Sequence, residues 1–321
     1  MQIALNKRIV AARDAESILT IVAAEHGVFN AVNAATACNR LAKTRQGSSH
    51  APRRDDRRVQ TLFSTITRLS ADVSGQNVAN ILWALATLGW QAGEGSMRCA
   101  LEGAAVRAAP SMNAQDVANS LWALATLGWQ PDVEMAAIFQ QLVEAWGCGC
   151  GGFELSSSHL SQLLQAHLAS QFLGLGLITL PPSVLEVAVK AYRVEARNVT
   201  VSKSQQEVGE SLRRLGVSHE LEHITEDGLF SIDLAVVDRR IAIEVDGPSH
   251  FTVNTLEPLG NTRLRDRLLS AMGWQVVSVP FFEWDKLQRP EQMDSYVEHR
   301  VHREGPARLP TSGACGGGDH K

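Results

Sequence analysis

Four residues late in the chain have the types and spacing for acid–base or metal chemistry: Asp233, Glu244, Asp246 and His250. All lie within IDLAVVDRRIAIEVDGPSHF, residues 232–251. Ile232, Leu234 and Val236 alternate with Asp233, Ala235 and Val237. Ile241, Ile243 and Val245 alternate with Ala242, Glu244 and Asp246. A period of two with β-branched residues predicts two strands, each with one buried face. If Asp238 and Arg239 form a two-residue turn, Val237 pairs with Arg240 and Asp233 falls opposite Glu244. Like charges so placed destabilise a sheet. A metal, a nearby Arg or Lys, or a raised carboxyl pKa must then compensate. A different register, or two solvent-facing carboxylates, would remove the need. His250 can carry a proton near neutral pH, or it can simply pack the turn.

These strands need a scaffold, and 321 residues suffice for two cores. With 45% hydrophobic and 20% charged residues the composition is globular. A formal net charge of −4 excludes a chain that grips nucleic acid by overall charge, so any such contact needs a local patch. Five scattered cysteines argue against a disulfide framework and fit a reducing compartment. Cys148-Gly149-Cys150 lacks zinc-knuckle spacing. No apolar run is long enough to span a membrane. The first 17 residues are weakly amphipathic, but Asp14 and Glu16 make them a poor transit peptide.

The first half is dominated by a repeat. QNVANILWALATLGW at 76–90 returns as QDVANSLWALATLGW at 115–129, an offset of 39 residues, within the range of helical solenoids. Ser74 and Asn113 are cap residues, Val78, Ile81, Leu82 and Leu85 make one apolar face, and Gly89 and Gly128 end the helices. Amphipathic segments at 59–69 and 97–108 precede the two copies. Weaker copies at 29–43 and 159–169 flank them, giving about four helix–turn–helix units, enough for a continuous core.

Trp83 and Trp122 sit at a repeated apolar position, which favours packing between units over base stacking. The stripe Gln76, Asn80, Ala84, Thr87 and its copy Gln115, Asn119, Ala123, Thr126 is the better candidate for reading single-stranded base edges. Thr36, Arg40, Lys43 and Gln162 fall at equivalent places in the outer units. The alternative is that Asn80 and Asn119 bond loop backbone. Residues 40–58 carry Arg40, Lys43, Arg45, Arg53, Arg54, Arg57 and Arg58 against Asp55 and Asp56. They form either a phosphate-binding arm or a solvated loop.

The hairpin, Gly247-Pro248-Ser249-His250-Phe251 and NTRLRDRLLSAMGWQVVSVPFFEW (261–284) resemble the RAP domain, over roughly residues 206–300. The NxLWALATLG signature resembles the octotricopeptide repeat of green-algal organelle proteins and the helical region of FAST-kinase-domain proteins, which carry RAP domains in the same order. The resemblance implies an α-helical solenoid of helix–turn–helix repeats followed by a small α/β restriction-endonuclease-like RAP domain. The expected division is 1–175 repeats, 176–205 connector with one helix, 206–302 RAP domain and 303–321 disordered tail. Asn261 or Thr262 is expected to cap the helix that ends at Gly273.

Nucleases of this PD-(D/E)xK fold hold Mg²⁺ on an Asp and a Glu and use a Lys beside them. Asp233 and Glu244 match the carboxylates, but Asp246 stands where the lysine belongs. Arg240, Arg263 or Arg265 would have to supply positive charge, and an arginine cannot act as a base; Arg263 and Arg265 are also expected to contact RNA. Glu207 is the candidate acid on the domain's first helix, with an ordinary exposed glutamate as the alternative. The resemblance therefore implies an organellar RNA-binding protein acting in mRNA or rRNA processing, stability or translation. Its expected partners are single-stranded RNA and other proteins of a ribonucleoprotein complex, with no membrane. The chloroplast stroma is the expected site and the mitochondrial matrix the alternative. The other readings are a Mg²⁺-dependent endoribonuclease and a protein-binding scaffold.

Overall fold

The computed structural model describes residues 1–44, 53–90, 95–147, 155–197, 200–252 and 256–303. The expected disordered tail, Arg45 and the two cysteines at 148 and 150 lie outside them. Helices come first: α1 (Gln2–Ala11), α2 (Ala15–Glu25), α3 (Ala31–Thr44), α4 (Arg57–Leu69), α5 (Gly75–Leu88), α6 (Ser96–Ala108), α7 (Ala114–Leu127), α8 (Val133–Gly147), α9 (Ser157–Leu173) and α10 (Pro182–Ala196). They stack in two layers. α3, α5, α7 and α9 lie side by side, with α1 outside α3; α2, α4, α6 and α8 form the other layer.

The two strong repeats are helices α5 and α7, and local chemistry sets their ends. Ser74 Oγ accepts from the Asn77 amide, and Asn113 with Asp116 forms a reciprocal capping box. At the other end Gly89 and Gly128 take φ of 67° and 65°, the left-handed conformation that favours glycine. Positions on the apolar helix faces are fully buried: Ile81 and Leu85 in α5, Leu121 and Leu124 in α7. Trp122 bridges units as its position implied, its Nε1 donating to Gln165 Oε1 of α9 at 2.9 Å. The segment read as a connector contributes α10, which packs on α9 and α8 and closes the stack.

The C-terminal part opens with α11 (Lys203–Arg214), then β1 (Glu220–Ile224), β2 (Ser231–Val236), β3 (Ile241–Asp246), α12 (Gly260–Ala271), β4 (Gln275–Pro280), α13 (Phe281–Trp284) and α14 (Pro290–Arg303). The sheet order is β1-β2-β3-β4, antiparallel except for the parallel β3–β4 pair that α12 crosses. The β2–β3 register is the expected one: Val236 pairs with Ile241 and Leu234 with Ile243. The turn itself is longer, a 3₁₀ turn at Val237–Arg239 with Arg240 left-handed at φ 53°.

Both faces of the sheet are covered, where one was expected. Leu234, Val236, Ile241 and Ile243 pack with Val208 and Leu212 of α11 and with Val297 and Val301 of α14. On the other face Ala235 and Ala242 join the same continuous core as the solenoid, together with Leu264 and Leu268 of α12. The two parts of the chain thus share apolar packing. That packing places β3's polar residues against the solenoid.

Candidate functional site at the solenoid–sheet junction

The β2–β3 register sets the next pair, Asp233 and Glu244, opposite each other on the face turned to the solenoid. The compensation anticipated for this like-charge pair is present. Arg265 of α12 donates through Nη2 to both carboxylate oxygens of Glu244 at 2.8 Å, and also to the carbonyl of Ser231. Asp233 Oδ2 accepts from the Val245 amide at 2.7 Å. Burial pushes the Glu244 carboxyl up to about 7, with Arg265 opposing and Asp233 reinforcing the shift. Burial also raises Asp233, against the Val245 hydrogen bond.

Asp246 is two residues on, on the same face. It accepts from Ser278 Oγ of β4 at 2.5 Å and lies 3.2 Å from His250 Nδ1. This contact holds the His250 imidazole above its ordinary pKa, against burial. His250 also lies 3.3 Å from Thr262 Oγ1. Thr262 is therefore not the helix cap it was expected to be. α12 begins at Gly260, after Leu259, without a side-chain cap, and Thr262 serves the turn instead.

These groups line a cavity of about 510 Å³ between α9, α10 and the sheet. Its walls include Ser161 and Gln165 of α9, Tyr192 of α10, Phe230, Gln205 of α11 and Glu222 of β1. Glu207 is not among them. It accepts from Trp284 Nε1 at 3.1 Å and pairs with Lys203, so the first helix contributes Gln205 instead. Gln205, Glu222, Tyr192 and Asp266 were not foreseen. No spacing in the sequence marks Asp266, one residue beyond Arg265, as part of the site. Burial, with Asp246 next in effect, raises Asp266 to about 6.

The carboxylates do not suit Mg²⁺. A hard cation needs free carboxylate oxygens around an open centre. Both Glu244 oxygens already serve Arg265, and Asp233 and Asp246 are held by an amide, a hydroxyl and an imidazole. Among the described residues no group of three or more His, Cys, Asp or Glu is disposed to hold a metal ion. The guanidinium of Arg265 takes the electrostatic part that the metal would play. The carboxylates foreseen for metal chemistry, Asp233, Glu244 and Asp246, thus already have protein partners, as does His250.

The expected RNA stripe divides. Gln76 and Gln115 are exposed, and Asn80 and Asn119 half-buried. The two asparagines do not bond loop backbone here; they join a ladder of amides across helices. Asn39 Nδ2 donates to Asn80 Oδ1 at 3.4 Å, and Gln162 Nε2 to Asn119 Oδ1 at 2.9 Å. Gln165, one turn on, donates to Tyr192 OH at 3.2 Å and brings the ladder to the cavity.

Thr87 and Thr126, by contrast, are 5% and 6% exposed. Helix α12 lies over this end of the stripe. A β-carbon on Gly260 would sit 2.1 Å from the Ala86 carbonyl oxygen and 2.5 Å from Thr126 Cγ2, so only glycine permits the approach. Arg263, placed at RNA by its charge, lies instead over Gly89, and Arg267 over Gly128. Arg267 Nη1 donates to the Ala125 and Thr126 carbonyls at 3.2 and 3.3 Å. Cations at the negative ends of two helices are favourable. Thr87 and Thr126 are thus withdrawn from the surface. Arg263 stays 36% exposed and pairs with Glu257, while Arg265 is committed to Glu244.

Of the basic residues, Arg40 Nη2 donates to the Ala12 carbonyl at the end of α1. Arg53 pairs with Asp55, and Arg58 with Asp56 and Glu16. Lys43, Arg54 and Arg57 are exposed.

The RAP domain family matches residues 243–300. A RAP domain-containing chloroplastic protein of Oryza sativa subsp. japonica is 38% identical over 96 residues, 30% of this chain and 15% of that protein. The mitochondrial FAST kinase domain-containing protein 3 of Bos taurus is 32% identical over 81 residues, 24% of this chain and 12% of its own. The human protein of that name is 31% identical over 65 residues, 20% of this chain and 10% of its own. This chain therefore spans a small part of the relatives it matches. The family match begins on β3 and takes in Glu244, Asp246, His250, Arg265 and Asp266, but not Asp233. The sheet-and-helix unit from Ile243 to Arg300 is the part of this chain that matches the RAP domain family.

Proposed function

We propose that this chain binds single-stranded RNA along the open half of its amide stripe and does not cut it. The carrying observation is the ladder Asn39–Asn80 and Asn119–Gln162, flanked by exposed Gln76 and Gln115 and leading through Gln165 to the RAP cavity. Amides offer both donors and acceptors, which suits unpaired base edges. Exposed Lys43, Arg54 and Arg57 at the α3–α4 end supply phosphate contacts. The RAP domain, with Glu244 held by Arg265 and Asp246 by Ser278 and His250, takes part in grip and not in hydrolysis.

The chloroplastic and mitochondrial names of the relatives support an organellar setting, with the chloroplast stroma the first choice and the mitochondrial matrix the second. There the protein acts in processing, stability or translation of mRNA or rRNA, alone or with other proteins of a ribonucleoprotein complex. The unit boundaries fit repeats to about residue 175, α10 closing the stack, and a RAP unit from α11 onward.

The test is fluorescence anisotropy of labelled single-stranded RNA with the full chain, followed by a denaturing gel after incubation in Mg²⁺. Binding that weakens with salt, leaves the RNA intact and falls about tenfold in Gln76→Ala/Gln115→Ala supports the reading, since each lost hydrogen bond is worth about 0.5–1.5 kcal/mol. Cleavage that Asp233→Ala abolishes would contradict it.

A further inference from the structure

The cavity at the junction has a chemistry that selects what enters it. Five carboxyl groups face one guanidinium and one imidazole. A phosphate would meet net negative charge there and is excluded. An uncharged planar group with N–H donors on one edge is not. The volume, about 510 Å³, lies in the range of small-molecule sites. Tyr192 and Phe230, packed edge to face with centroids 6.1 Å apart, give one side an aromatic surface.

Four of the five carboxyl groups are already engaged. Glu222 accepts from Gln205 and Ser231, Asp233 from the Val245 amide, Glu244 from Arg265 and Asp246 from Ser278. Asp266 has no hydrogen-bond partner among the described residues, though it is half-buried and faces the cavity. Its two oxygens accept and do not donate. The four RNA bases differ in what they bring to such a group. Guanine presents N1–H and an N2 amino group side by side, a match for two carboxylate oxygens in the manner of a guanidinium. Uracil presents a single N–H between carbonyls. Adenine and cytosine place a ring acceptor beside the amino group, which the carboxylate repels.

We propose that the cavity captures one guanine of the bound RNA, its Watson–Crick edge on Asp266 and its phosphates outside. This rests on the RNA-binding reading and deepens it, because Gln165 joins the amide stripe to the cavity wall. The RAP unit then contributes base choice where the stripe contributes length.

The experiment uses the full chain with a labelled twelve-residue oligouridine and the same oligomer carrying one central guanosine. The guanosine-containing RNA is expected to bind about tenfold tighter, as one bidentate base contact allows. Asp266→Asn is expected to reduce that ratio to within about twofold. Free guanosine, which carries no phosphate, is expected to raise the Tm of the wild type and not of D266N, and uridine to raise neither. Equal affinity for the two RNAs, or a preference that survives D266N, overturns the guanine site while leaving RNA binding standing. Failure of both RNAs to bind overturns the RNA-binding reading itself.

Discussion

Arg267 of α12 donates to the main-chain carbonyl of Ala125 at 3.2 Å, tying the RAP domain to the end of a repeat helix 142 residues earlier. The neighbouring carbonyl of Thr126 accepts from the same nitrogen. Arg263, one helical turn before, lies over the matching glycine of the other repeat. Two identical helix ends meet two arginines spaced i and i+4 on one face of α12. The identity of the two ALATLG ends thus answers to a shared docking partner within the chain.

Arg267→Ala should lower stability by about 1.5–3 kcal/mol, the worth of hydrogen bonds from a charged group. Urea unfolding of the full chain measures it. Arg54→Ala, at an exposed arginine, should stay within about 0.5 kcal/mol of wild type.

Gly260→Ala tests the same junction by steric means. The added methyl would lie 2.1 Å from the Ala86 carbonyl oxygen, so backbone must shift. A loss of about 1–3 kcal/mol is expected from overpacking. Gly247→Ala meets nothing within 4 Å and has φ −73°, so its Tm should match wild type.

Much of this was legible beforehand. The repeat, its caps and the β2–β3 register follow from local rules: a 3.6-residue apolar period, Ser or Asn at one end, Gly at the other, and alternation by two. The carboxylate pair also announced its own need for a counter-charge. What no local rule carries is which charge supplies it. Arg263, Arg265 and Arg267 look alike in sequence, yet Arg265 turns to Glu244 while the other two face the solenoid. The burial of Thr87 and Thr126 is likewise set by a helix more than 130 residues away. Strand β1 escaped notice because Glu220, Glu222 and His223 give a polar edge strand with no apolar alternation.

Arg265→Ala should be among the most destabilising single changes, by about 3–5 kcal/mol, because it leaves Glu244 buried without its counter-ion. Arg265→Ala/Glu244→Leu should recover a substantial part of that loss. Chemical denaturation of the wild type and both variants separates the burden of an unpaired charge from lost packing. Equal stability of the two variants would count against the pair as drawn.

Asp266 gives a pH signature. Burial, with Asp246 beside it, raises its carboxyl from an ordinary 3.8 to about 6 in the folded chain, against Arg265 and His250. The folded state therefore holds the proton more tightly than the unfolded chain. Stability from this group is full below about pH 4 and is lost as pH rises through 6. Asp266→Asn should match wild type at pH 4 and exceed its Tm at pH 7 by roughly 2–4 °C, the shift made by about 1 kcal/mol in a chain of this size. Differential scanning calorimetry at the two pH values reads the difference.

The central claim is that RNA lies on the open half of the stripe, because α12 covers the other half. Photocrosslinking of 4-thiouridine RNA to the full chain, followed by peptide mass spectrometry, tests it most directly. Crosslinks are expected at the N-terminal halves of α5 and α7, around Gln76–Asn80 and Gln115–Asn119, and on α9 near Gln162. Crosslinks confined to the outer layer, α2, α4, α6 and α8, would contradict the account.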